Sequence, residues 1–295
     1  MYYYRGKYTF FIILLFFIIG INSSNNSYKH CVHDIQCDDK VECIKKSKSI
    51  IPLDNLIYGF SDIIVQGCTD LLDIFKNIFT IETIEILGFT TPFYIIARTY
   101  DHKIHRFFYD RKRHKNIRQL PKCLYKASSA ILGTSLGIAT LLALFPWDYN
   151  IERTSRVFLF GLPLTGITKY IIKKSERDFC KRPRNEDFDK HKIFYGGFPS
   201  GHTMEMVYMT TVFGLQYGYK AGIPLTAATL YIATDFIIKN RHYLSQILAG
   251  AIIGLIYGVS ANKVINKSLD EYFKNVKCKI VNQDNFSGLN LSYKF

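Results

Sequence analysis

The 295-residue sequence predicts an all-α protein, a bundle of about six apolar helices associated with a membrane. Three observations carry that expectation. Long stretches lack charge, the clearest being the run from Lys126 to Trp147, which is charge-free between its ends. Glycines recur at every fourth position in another apolar run, at Gly250, Gly254 and Gly258, a spacing that lays a smooth strip along one helix face for close packing. The composition is 48% hydrophobic yet carries a net charge of +14, which favours anionic partners at an apolar surface. Nucleic acid fits poorly with so many apolar runs, and a membrane with anionic headgroups fits well.

The elements follow in order. Arg5 and Lys7 precede the uncharged stretch Tyr8–Ile21 and the small polar residues Asn22-Ser23-Ser24, so residues 1–23 read as a signal peptide or an N-terminal anchor. Residues 24–82 form an N-terminal region. It begins with Cys31, Cys37 and Cys43, whose spacing suits a small disulfide cluster or unpaired thiols and is not a zinc pattern. Asp54, Asp62, Asp70 and Asp73 among Ile, Leu and Phe then suit amphipathic helices lying against a surface. The domain at 83–262 holds the apolar helices, with expected extents 83–99, 126–146, 155–174, 202–217, 222–239 and 243–261. Asp101–Lys122 reads as a basic loop that solvates His102, His105 and His114 and attracts anionic headgroups. A basic polar tail, 263–295, ends in an alternating stretch from Gly288 to Phe295 that resembles one strand of an outer-membrane barrel.

The chemistry centres on Phe198-Pro199-Ser200-Gly201-His202-Thr203, between an arginine-rich loop and an apolar run. A helix N-terminus there offers unpaired N–H groups and a positive dipole end to an anion. Ser200 supplies a cap, Gly201 permits close backbone approach, and His202 supplies a proton. Antiparallel packing with short connections brings Arg182 and His242 to the same end of the bundle. Arginine binds phosphate in a bidentate manner, and two facing histidines divide attack on phosphorus from protonation of the leaving oxygen. That division of labour requires neither metal nor organic cofactor.

In this order, Arg182-Pro183, then Pro199-Ser200-Gly201-His202, then His242 followed by Leu248-Ala249-Gly250, the chain resembles the type 2 phosphatidic acid phosphatase and vanadium haloperoxidase superfamily over residues 85–262. The resemblance implies a helical, membrane-associated enzyme that removes phosphate from a lipid or related organic phosphate through a phosphohistidine. By the same resemblance His242 is the nucleophile, His202 the general acid, and Arg182, Ser200 and Gly201 the phosphate ligands. The sequence departs from the family pattern at three places. Ser175 stands at the position of the first-motif lysine, leaving Lys174 beside it, or Lys181, to take that part. Asp235-Phe236 replaces a Ser-Arg pair, with Lys239 or Arg241 as candidate substitutes for the lost arginine. Gln246 stands where an aspartate orients the nucleophile; it can accept the imidazole hydrogen bond but cannot offset developing positive charge.

The expected activity is therefore a metal-independent lipid phosphatase. A phosphotransferase, a pseudo-phosphatase that binds headgroups without turnover, and a vanadate-dependent oxidase are the alternatives. The leader points to export with the site on the extracytoplasmic, periplasmic side. A simple count of six spans after a cleaved leader would instead turn the motif end to the cytoplasm; an extra pass within 50–82 or a surface-bound bundle reverses that.

Overall fold

The computed structural model describes residues 53–110, 115–116, 127–144, 148–175, 182–183, 196–283 and 286–293. The leader, Cys31, Cys37, Cys43, Cys123, Cys180, His30, His33, His114, Lys181 and most of the basic loop lie outside the described residues.

The chain is helical, as its apolar periodicity predicts. Helices α1 (Leu53–Asn77) and α2 (Ile81–Phe108) precede a short β1–β2 pairing at 109–110 and 115–116. Then come α3 (Ala127–Leu144), α4 (Tyr149–Ser175), α5 (Gly201–Tyr217), α6 (Tyr219–Ile238) and α7 (Leu244–Asn275). The tail is an antiparallel hairpin of β3 (Val276–Gln283) and β4 (Phe286–Tyr293). The single strand expected at the C-terminus thus has a partner immediately before it.

Two expected boundaries move, each for a packing reason. Helix α2 runs on through Asp101 and His105, both buried, because Ala97, Asp101 and His105 recur at four-residue spacing on its inner face. These residues are therefore part of the bundle rather than of a solvated loop. Helix α7 continues well past 261, since Val264 and Ile265 extend its core-facing stripe. The basic tail accordingly starts within a helix. In the N-terminal region, α1 is anchored by Ile74 in the core and by Asp70, which receives both terminal nitrogens of Arg153 from α4 at 2.6 Å.

The core has two buried clusters. One, around Phe158, Tyr208 and Val212, joins α1, α4, α5 and α7. The other, around Met206, Phe236, Ile247 and Leu248, lies under the motif end. The glycine strip of α7 packs on α5: a Cβ at Gly250 would collide with the Ser200 carbonyl, so only glycine allows this approach. The corresponding pair on α3, Gly133 and Gly137, faces open space.

Tyr219–Ile238 and Leu244–Glu271 are long and apolar enough to cross a membrane, and the α1–α2 pair passes together with a 58° bend between its halves. The run expected to span first yields a shorter apolar helix, Ala130–Leu144. Apolar side chains stay exposed along α1 and α2, among them Leu72, Phe79, Ile81, Ile84 and Phe89, as a lipid-facing surface requires. The protein is membrane-associated.

Candidate active site

The site forms where α4 ends, α5 begins and α6 turns into α7. Ser200 is the N-cap residue of α5, with extended backbone angles. Its hydroxyl meets Thr203 Oγ1 at 2.9 Å instead of capping a backbone N–H. The Ser200 N–H donates to the Gln246 carbonyl at 3.0 Å, which ties the start of α5 to the first turn of α7. The first-turn N–H groups of Gly201, His202 and Thr203 have no acceptor within the helix and form the electropositive end of its dipole.

His242 sits in the turn between α6 and α7. Helix α6 ends in a Schellman arrangement: Asn240 N–H donates to Ile237 O at 3.0 Å and Arg241 N–H to Phe236 O at 2.9 Å. Asn240 adopts the left-handed conformation that this motif needs, with φ of 57°. His242 is only 5% exposed. Its Nδ1 lies 3.3 Å from Gln246 Oε1, the same oxygen that accepts the Tyr243 N–H at 3.2 Å. An atom that accepts from a backbone N–H is the amide carbonyl, so it must also accept from Nδ1. The proton is thereby assigned to Nδ1 and the lone pair to Nε2, the tautomer a nucleophile requires. Gly197 lies so close to the Gln246 amide that any side chain there would displace it.

Phe236, at the position of the expected arginine, stands between the two histidines. Its ring centroid is 5.2 Å from that of His202 and 5.6 Å from that of His242. The Arg241 guanidinium lies over the same ring at 5.5 Å. Of the two candidate substitutes, Lys239 instead bonds Asp235 at 2.7 Å, which leaves Arg241 as the cation nearest the missing one. Arg182 Nε reaches Gly196 O at 3.4 Å. Lys174 is exposed, whereas the neighbouring Lys173 acts electrostatically on His242. Lys169, one turn earlier on α4, pairs with Glu205 at 3.0 Å and packs against Gly201.

Both histidines titrate below the ordinary histidine value. Burial, aided by the charges of Arg182 and Lys173, pushes the His242 imidazole down to about 3, against hydrogen bonds to Gln246 and Gly197 that favour its charged form. It is neutral at physiological pH. His202 also lies below the ordinary histidine value: desolvation pushes it down, as do Lys169, Arg241 and Arg182, while Glu205 opposes them. A phosphate dianion would reverse the effect of those three cations.

The seven expected site residues thus divide. His202, Ser200, Gly201, His242 and Gln246 form one contiguous cluster, and Arg182 reaches it through its charge on both histidines. Lys174 is exposed and is not among the charges that act on either histidine. Lys169 and Arg241 join it. The sign pairing of Lys169 with Glu205 across α4 and α5 is the one signal by which Lys169 was detectable.

Parts of the chain are similar to known proteins. Residues 156–270 match the PAP2 superfamily. The lipid A 1-phosphatase of Porphyromonas gingivalis is 35% identical over 66 residues, which cover 21% of this chain and 14% of that protein. The chain therefore matches only about one seventh of that relative's length. A crystal structure of a transmembrane PAP2-type phosphatidylglycerolphosphate phosphatase from Bacillus subtilis aligns with 13% identity over 65% of this chain and 97% of its own, with a TM-score of 0.43. The stretch similar to the PAP2 superfamily contains the cap, both histidines and the glycine strip.

Proposed function

We propose that this protein is a lipid phosphatase that releases phosphate from a lipid phosphate or related organic phosphate through a phosphohistidine on His242. The observation that carries the reading is the pairing of a neutral, Nδ1-protonated His242 with His202 across Phe236, beside the open helix end of α5. The His242 Nε2 lone pair attacks phosphorus and the bond from phosphorus to the leaving oxygen breaks. His202 donates its proton to that oxygen, and the alcohol departs. His202, now a base, takes a proton from water as the water oxygen attacks the phosphohistidine; the P–N bond breaks and inorganic phosphate leaves. Arg182, Arg241, Lys169 and the N–H groups of α5 balance the charge on the equatorial oxygens. No step in this sequence needs a metal ion.

Purified full-length protein in mixed micelles should release phosphate from phosphatidic acid. His242→Ala should abolish release, and His202→Ala should slow it by about 10²–10⁴-fold. Phe236 and Gln246, each in place of a charged residue, favour a second reading as a headgroup-binding pseudo-enzyme. Equal inactivity of wild type and His242→Ala, with phosphatidic acid still bound, would select it. Water and an alcohol are chemically equivalent acceptors at the second step, so added diacylglycerol would expose a phosphotransferase by labelled phosphatidic acid formation. We place the site on the extracytoplasmic side because of the leader sequence. Protection of Lys174→Cys, an exposed position at the end of α4, from an impermeant thiol reagent in intact cells, with labelling after lysis, would overturn that orientation.

A further inference from the structure

The geometry points to His105, supported by Asp101, as a positioning residue of the nucleophile, an inference that rests on the phosphatase reading above. The two side chains project from successive turns of α2, an element outside the residues 156–270 that match the superfamily. They hold the segment that carries His242 on both sides. Two residues before His242, His105 Nε2 hydrogen-bonds Asn240 Oδ1, and Asn240 is the left-handed residue that turns the chain out of α6. Three residues after it, the Asp101 carboxylate accepts the Ser245 N–H at 2.9 Å and the Ser245 hydroxyl. Asp101 thus caps the N-terminal turn of α7 from another helix, where a negative charge is favourable to the dipole. Between these anchors, the ring of Tyr243 meets His102 at 5.5 Å and His105 at 5.6 Å, both edge-on. All of Asp101, His105, Asn240 and Ser245 are buried, so water does not readily compete for these bonds.

The consequence is specific to orientation. Gln246 fixes the tautomer of His242 but moves with the same helix turn, so it cannot hold the turn itself. Helix α2 supplies the external reference. Without it, His242 keeps its proton assignment yet loses its aim at phosphorus, while Lys169 on α4 and the N–H groups of α5 stay in place and, of the proposed phosphate ligands, only Arg241 shares the turn. Turnover should fall much more than substrate affinity.

The test uses full-length protein in mixed micelles with phosphatidic acid. His105→Ala should lower kcat by about 10–100-fold with KM changed less than about threefold, as expected for a misaligned attacking atom. His105→Gln, whose amide N–H can reach the same acceptor, should recover most of the lost kcat. Asn240→Gly keeps the left-handed backbone but removes the acceptor, and should match His105→Ala. The double variant should be no slower than either single one. A rise in KM at constant kcat, failure of the glutamine to recover activity in a protein that melts like wild type, or additive losses in the double variant would each overturn the inference. Should wild type release no phosphate, the phosphatase reading is what fails. Amide hydrogen exchange across 240–246 then decides the anchoring separately: faster exchange in His105→Ala and Asn240→Gly, restored in His105→Gln, supports it, and unchanged exchange refutes it.

Discussion

At the scale of single residues, the pH response of the site follows from its two histidines. In the proposed mechanism attack requires His242 neutral, a condition lost only as pH falls towards about 3. In the same mechanism protonation of the leaving group requires His202 charged, and its value lies below the ordinary 6.5. The kcat/KM profile should therefore peak in acid, with its alkaline limb below 6.5 and its acid limb near 3. Stability carries the same sign. Unfolded His242 takes up a proton below 6.5 while the folded form refuses it down to about 3, so stability present above 6.5 is lost as pH falls through that window. Melting temperatures across the range should decline, and less steeply in His242→Gln. Gln246→Glu is an isosteric way to restore the carboxylate opposite the imidazole. It should raise the His242 value, shift the acid limb upward, and increase kcat by about tenfold by stabilising the charge formed during attack. An unchanged acid limb in Gln246→Glu would contradict the pairing of these two side chains.

At the scale of elements, the contact of α5 with α7 sets the site's dimensions. Gly250→Ala inserts a methyl group against the Ser200 carbonyl, a backbone atom that cannot turn away. It should cost about 1–3 kcal/mol of stability, read as a lower melting temperature, and slow turnover by shifting the cap away from His242. This contact was legible in sequence because the glycine period and the Pro-Ser-Gly-His motif are both local strings. The contact of His242 with Gln246 was legible for the same reason, the two being four residues apart on one turn. The supports from α2 were not. Asp101 and His105 sit among basic residues, and their burial depends on Ser245 and Asn240, 144 and 135 residues away. Lys173 and Lys174 show a finer limit. Successive helix positions differ by about 100° in direction, so of these neighbours Lys173 is half-buried and acts on His242 while Lys174 is exposed.

At the scale of the whole molecule, the N-terminal helices are integral to the bundle. Arg153 and Asp70 form a two-point ion pair with both side chains almost fully buried, and Ser268 of α7 joins it at 2.8 Å. Removing one partner leaves the other charged and buried, so Asp70→Asn should destabilise the protein by about 3–5 kcal/mol in detergent, while the apolar pair Asp70→Leu with Arg153→Met should recover most of that loss. Equal melting temperatures for wild type and Asp70→Asn would exclude a buried ionic role. The turn holding His242 has a mechanical meaning at this scale. It joins Tyr219–Ile238 and Leu244–Glu271, which among the described residues are the two helices long and apolar enough to cross the bilayer singly. Mismatch with the hydrocarbon thickness shifts how such helices tilt and pack, and α2 holds one end of their junction. A change in their packing angle would reach the imidazole through this turn, so kcat should vary across host bilayers of graded acyl length.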